Sequence, residues 1–203
     1  MLNKLKYFIS LFLNYKNILI PVLYYEIIYS LKYLDYGAYI KIHNSRTATD
    51  TVPCIYYFLH LISKFIKKRK INSVIDLGSG YGRVTNFLSD HTNSKITGFE
   101  LNMEVYNKSL KLKRKKIKIF NKNILTINFK KNRADCFIMI DPLKKPQDTI
   151  KLQKKIIKAN KFGKRIYFAM VNINGRLLIK DLKIIKTIKT GVKGSIHFFL
   201  YIF

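Results

Sequence analysis

Asp76 and Glu100 are two of only 11 acidic residues among 203, and each ends a short apolar run. Val74, Ile75 and Leu77, around the first, suit a buried parallel strand. Gly78, Gly80 and Gly82 then turn the chain with no Cβ to hold a ligand off the backbone. From Gly82 onward Val84, Phe87 and Leu88 fall on one helical face. A strand, a glycine turn and a helix N-terminus form either a nucleotide-binding corner or a plain tight turn. The glycine spacing discriminates among ligands. Dinucleotide sites use G-x-G-x-x-G and place a pyrophosphate on the helix dipole. Here the spacing is G-x-G-x-G, with Asp76 two residues before the first glycine. A carboxylate in that crevice repels a pyrophosphate and accepts a hydrogen bond from a cationic amino-acid group.

S-adenosylmethionine (SAM) has that chemistry, with an ammonium, a sulfonium and no phosphate. The stretch Val-Ile-Asp-Leu-Gly-Ser-Gly-Tyr-Gly-Arg at 74–83 resembles motif I of the class I, seven-strand SAM-dependent methyltransferases. Residues 95–102, Lys-Ile-Thr-Gly-Phe-Glu-Leu-Asn, read as a second short strand. Its Glu100 stands about 20 residues past the glycines, where a ribose-binding acid belongs. A carboxylate accepts through two oxygens and can hold both ribose hydroxyls; a lone strand-end acid is otherwise a solvated one. Phe-Glu-Leu-Asn resembles the family's second motif. The resemblance implies a cofactor site made of Asp76, Gly78, Ser79, Gly80, Tyr81, Gly82, Glu100 and Leu101.

Two further positions follow from the same resemblance. After a third strand over 117–121, the family commonly places an acid and an apolar residue against the adenine; this chain has Asn123 and Ile124. An amide oxygen can accept the adenine N6 bond, and Asn is equally a turn former. A fourth strand ends in Asp141-Pro142-Leu143-Lys144. Amino-directed nucleic-acid methyltransferases carry an acid or amide, two prolines and an aromatic there, the aromatic stacking on a flipped base. Asp141-Pro142 keeps half of that signature, and Leu143 and Lys144 remove the stacking platform. Asp141 is the candidate residue for engaging the acceptor; its alternative role is to cap a strand before a turn.

The elements that must position these residues alternate strand and helix: helices over 53–68, 103–113, 147–159 and 176–182, a fifth strand over 164–171, and a β-rich end over 182–187 and 195–203. The expected fold is α/β, a doubly wound seven-strand sheet in order 3-2-1-4-5-7-6 with the last strand antiparallel. Residues 53–203 form the domain, and 1–52 an N-terminal helical extension. The polar stretch 36–53 is a candidate lid over the cofactor or a plain connection. Residues 5–34 are apolar but interrupted by Lys6, Lys16, Glu26 and Lys32, with Pro21 breaking the run. They fall short of the ~18 uninterrupted apolar residues of a spanning helix and lack a signal-peptide cleavage pattern. They read as two amphipathic helices that pack on the core or rest on a membrane surface, packing being favoured.

Composition bounds the remainder. The net charge of +28 resembles a nucleic-acid footprint, yet 32 of the 39 basic residues are lysine. Lysine, isoleucine, asparagine, tyrosine and phenylalanine all have AT-rich codons, so codon drift accounts for much of the charge. A basic surface raises affinity for polyanions in either case. Cys54 and Cys136 have no neighbouring cysteine, which argues against a disulfide framework or metal site and for a cytoplasmic setting. The expected protein is monomeric. It transfers a methyl group from SAM to a protein lysine or a small molecule, with RNA or DNA as the alternative acceptor. A non-catalytic SAM-binding module docking on a membrane or partner is a third reading.

Overall fold

The computed structural model describes residues 9, 11–13, 15–34, 48, 53–112, 116–160, 165–171, 182–189 and 195–201. Among them, seven strands form one sheet in the order β3-β2-β1-β4-β5-β7-β6. The strands are β1 (Ser73–Leu77), β2 (Lys95–Glu100), β3 (Ile117–Asn121), β4 (Cys136–Ile140), β5 (Ile166–Val171), β6 (Lys183–Lys189) and β7 (Ser195–Tyr201). β1 to β5 pair in parallel, while β7 runs antiparallel to both β5 and β6. The helices are α1 (Leu19–Tyr33), α2 (Tyr56–Lys68), α3 (Arg83–His91), α4 (Met103–Leu112) and α5 (Pro146–Ala159). The sheet order and the antiparallel β7 are as the sequence predicts. The predicted helix over 176–182 falls almost wholly outside the described residues, as does the candidate lid apart from Ala48 and Pro53.

Alternation along the strands splits the core into two layers. Val74, Ile96, Cys136 and Ile138 pack under α1, α2 and α3 on one face. Ile75, Leu77, Phe137 and Met139 pack under α5 and the β3–β4 connection on the other. β4 and β5 are buried on both faces, so they read as unbroken apolar runs.

Three boundaries depart from the sequence reading. Pro21 lies in the first turn of α1, where a missing N–H costs no helical bond, so it opens the helix instead of breaking it. Pro53 stands outside α2, which starts at Tyr56 after an extended Ile55. Pro146, expected just before its helix, is the first residue of α5.

α1 packs on the domain. Val22, Glu26 and Ser30, four residues apart, form its buried face. Glu26 is fully buried and meets Arg83 at 3.1 Å. It also accepts from the Tyr56 backbone N–H. Arg83 donates to the Cys54 carbonyl at 3.0 Å, and its guanidinium stacks 4.3 Å over the Tyr56 ring. Farther along the seam, Tyr29 bonds His91 at 3.0 Å and Tyr33 donates to Asp90 at 2.9 Å. A buried pair with every partner in place is held firmly; removing one partner typically costs about 3–5 kcal/mol.

Candidate functional site

The glycine turn closes because three residues adopt backbone angles that side chains resist. Gly78, Gly80 and Gly82 have φ of 92°, 54° and 85°. The turn folds back onto the end of β2, with the N–H groups of Gly78 and Ser79 both donating to the Phe99 carbonyl at 2.9 Å. A Cβ on Gly78 would stand 2.9 Å from the Cβ of Pro142, so the end of β4 lies directly against the turn. From the other side, a Cβ on Gly98 would meet Ser79 at 2.9 Å. Gly98 is thus a fourth glycine the site requires.

Glu100 is built into this turn. Its two carboxylate oxygens accept from the Gly80 and Asn102 N–H groups, each at 2.8 Å. Asn102 in turn caps α4 through Val105 N–H at 3.0 Å. Burial pushes the Glu100 carboxyl above its usual range, and the backbone donors from Asn102, Gly80 and Leu101 pull against it. A carboxylate has about four acceptor positions, so capacity remains for a further donor.

Asp76 is different. It is 1% exposed, and neither carboxylate oxygen has a hydrogen-bond partner. Burial first, and the neighbouring Glu100 second, push its pKa up to about 8. The Ser79 hydroxyl beside the turn also lacks a partner. Buried polar groups are almost always paired, so this orphaned acid at the carboxyl end of β1 fits a ligand that brings a donor or a positive charge.

Residues 75–168 match the family profile described as a methyltransferase domain. The fold recurs in an RNA methyltransferase from Salinibacter ruber in complex with S-adenosyl-L-homocysteine. That protein is 13% identical with a TM-score of 0.55, the match covering 73% of this chain and 93% of that one. A magnesium protoporphyrin IX methyltransferase from Synechocystis with bound SAM is 9% identical, with a TM-score of 0.56 over 70% of this chain and 77% of its own. A putative methyltransferase from Escherichia coli is 14% identical, with a TM-score of 0.55 over 72% and 86%. The chain carries a methyltransferase domain in the seven-strand fold of the class I SAM-dependent enzymes. No curated protein sequence matches it.

The methyltransferase gathers most of its sequence-predicted residues at the carboxyl ends of β1, β2 and β4. Tyr81 is half-buried, with its hydroxyl pKa raised by burial next to Lys108 and Glu104 of α4. Leu101 is 38% exposed directly after Glu100. Past β3, Ile124 is buried, while Asn123 sits in a turn and accepts the Leu125 N–H at 2.9 Å. Asp141 directly follows β4 with φ of 46°, a left-handed conformation uncommon outside glycine. Leu143 is buried and bridges Ala48 of the segment before α2. Tyr81 also lines a cavity of about 230 Å³ together with Lys32, Tyr33, Tyr56, Arg83 and Lys111 among others; Asp76 and Glu100 are not among its lining residues.

Two residues of the methyltransferase escaped the sequence reading. Gly98 could have been noticed as a glycine inside a strand, which marks a close backbone approach. Arg83, the residue after the last glycine, is only 7% exposed; nothing local signals that its partner lies 57 residues upstream.

Proposed function

We propose that Asp76 and Glu100 hold the two polar ends of SAM, and that the methyl group passes to an amine of a protein lysine or a small molecule beside Asp141. The observation that carries this reading is the unpartnered, buried Asp76 carboxylate at the glycine turn. It is placed to receive the ammonium of the methionine moiety. Glu100, already oriented by Gly80 and Asn102, is placed to accept from the ribose hydroxyls. Asn123 and Ile124 would flank the adenine, and Leu101 would offer it an apolar face. When bound, SAM supplies a methyl on an already activated sulfonium. The protein's part is therefore positioning, together with a route for the amine's proton. Asp141 accepts a hydrogen bond from the incoming amine and orients its lone pair.

The Leu143-Lys144 pair, which lacks a stacking aromatic, supports a protein or small-molecule acceptor. Where a base-methylating site needs a stacking aromatic this chain has exposed Lys144, and Leu143, in place of the second proline, is buried with its backbone bridged to Ala48. The RNA reading draws on a different observation, the net charge of +28. One experiment separates them. Incubating a cell lysate with the enzyme and methyl-tritiated SAM should give label that survives RNase and is released by protease or passes a small-molecule filter. Label lost on RNase treatment would establish RNA as the acceptor.

A further inference from the structure

Nine of the fifteen exposed large apolar side chains among the described residues lie between Ile9 and Leu34. On α1 they are ordered. Ile20, Tyr24, Ile27, Ile28, Leu31 and Leu34 are 41–84% exposed and follow helical spacing on one face. That face is opposite to the Val22, Glu26 and Ser30 face that packs on the domain. α1 thus covers the face that carries the Glu26 ion pair and leaves its apolar face open. Scattered exposed apolar residues are normal, but a continuous stripe marks an interaction surface.

The charge around the stripe identifies the occupant. Residues 1–34 contain four lysines and a single acid, Glu26. That acid is buried on the inner face against Arg83. The helix itself therefore carries no acid on its outward face, and exposed Lys16 and Lys32 stand at its two ends, Lys32 also lying 3.3 Å from Asp90 of α3. An apolar stripe flanked by lysines on a protein of charge +28 matches an anionic lipid surface, with apolar side chains entering the acyl boundary and lysines among the headgroups. No helix among the described residues is long and apolar enough to cross a membrane, so α1 would lie in the interface. We propose that the outer face of α1 docks the methyltransferase on an anionic bilayer, placing the glycine turn close above the membrane through the Glu26–Arg83 pair.

The test uses the full chain and vesicles of phosphatidylcholine with or without phosphatidylglycerol. The wild type should float with the anionic vesicles. The triple variant Ile20→Ser, Ile27→Ser, Leu31→Ser keeps the charge and should partition at least about tenfold more weakly, with SAM binding retained. Because the chain has no tryptophan, Ile27→Trp supplies a single reporter, whose emission should shift to the blue on anionic vesicles and be quenched by brominated acyl chains. Equal flotation of the triple variant, or an unmoved tryptophan spectrum, would overturn the proposal in favour of bulk charge. A wild-type dimer that the triple variant dissociates would overturn it in favour of a second copy on this face.

Discussion

Glu26 and Asp76 are both carboxylates removed from water, 0% and 1% exposed, and they end up in opposite conditions. Glu26, in the seam between α1 and α3, has a guanidinium and a backbone N–H within the chain. Asp76, in the crevice, has no hydrogen-bond partner for either oxygen. Burying a charge is costly unless it is paired. The seam meets that cost internally and so holds the fold. The crevice leaves it unmet, and burial shifts the Asp76 carboxyl toward its protonated form. A buried acid with every partner present is architecture; one with none is the residue we propose for binding.

The largest effect should come from breaking the full site. Glu26→Ala leaves Arg83 buried without its counter-charge, and chemical denaturation should show a loss of about 3–5 kcal/mol. Asp76→Asn, at equal burial, should cost far less in the ligand-free protein. If both cost the same, the contrast between the two acids fails.

Next in size is Glu100→Ala, which removes the acceptor proposed for the ribose and releases the Gly80 N–H. Hydrogen bonds to charged groups contribute about 1.5–3 kcal/mol each. Calorimetry should therefore show SAM affinity falling about tenfold or more, with the fold intact by circular dichroism.

The pH dependence sharpens the comparison. The folded-state pKa of Asp76 is raised to about 8 from 3.8, so between those values the folded chain holds a proton that the unfolded chain releases. Stability of the ligand-free protein should decline as pH rises through that window, and the decline should be shallower in Asp76→Asn. SAM binding near pH 7 should expel the Asp76 proton. Binding heats would then vary with the ionisation enthalpy of the buffer in the wild type and lose that contribution in Asp76→Asn.

The smallest effect on the cofactor is expected at Asp141. Asp141→Asn should lower turnover while leaving the SAM dissociation constant within about twofold, because the bond proposed for it forms with the acceptor and would strengthen in the transition state. A parallel fall in SAM affinity would move Asp141 from the acceptor side to the cofactor side of the crevice.

The contrast also explains what was legible in the sequence. Asp76, the glycines and Glu100 are local: a strand run, a turn and an acid at fixed spacing, each readable from its neighbours. The sheet order follows from the alternation of strands and helices together with the family resemblance. Arg83 and Gly98 depend on what lies across space, so a linear pattern carries only a weak trace of them. Proline was misread at three boundaries because its effect depends on which turn it occupies: within the first turn the missing N–H is harmless, and only deeper does it break a helix. The left-handed backbone of Asp141 had no sequence signal, since an aspartate before a proline ordinarily favours extended geometry.

The Glu26–Arg83 pair also has a consequence for biosynthesis. The two residues are 57 positions apart, so at roughly 5–20 residues per second α1 leaves the ribosome roughly three to ten seconds before its partner exists. During that interval both faces of the helix are uncovered and Glu26 lacks its Arg83 counter-charge. A nascent chain of this kind is a natural client for a chaperone, or for the same anionic surface that suits its outer face. Fusing a folded tag ahead of Met1 would leave that interval unchanged, whereas moving α1 to the carboxyl terminus by circular permutation would abolish it.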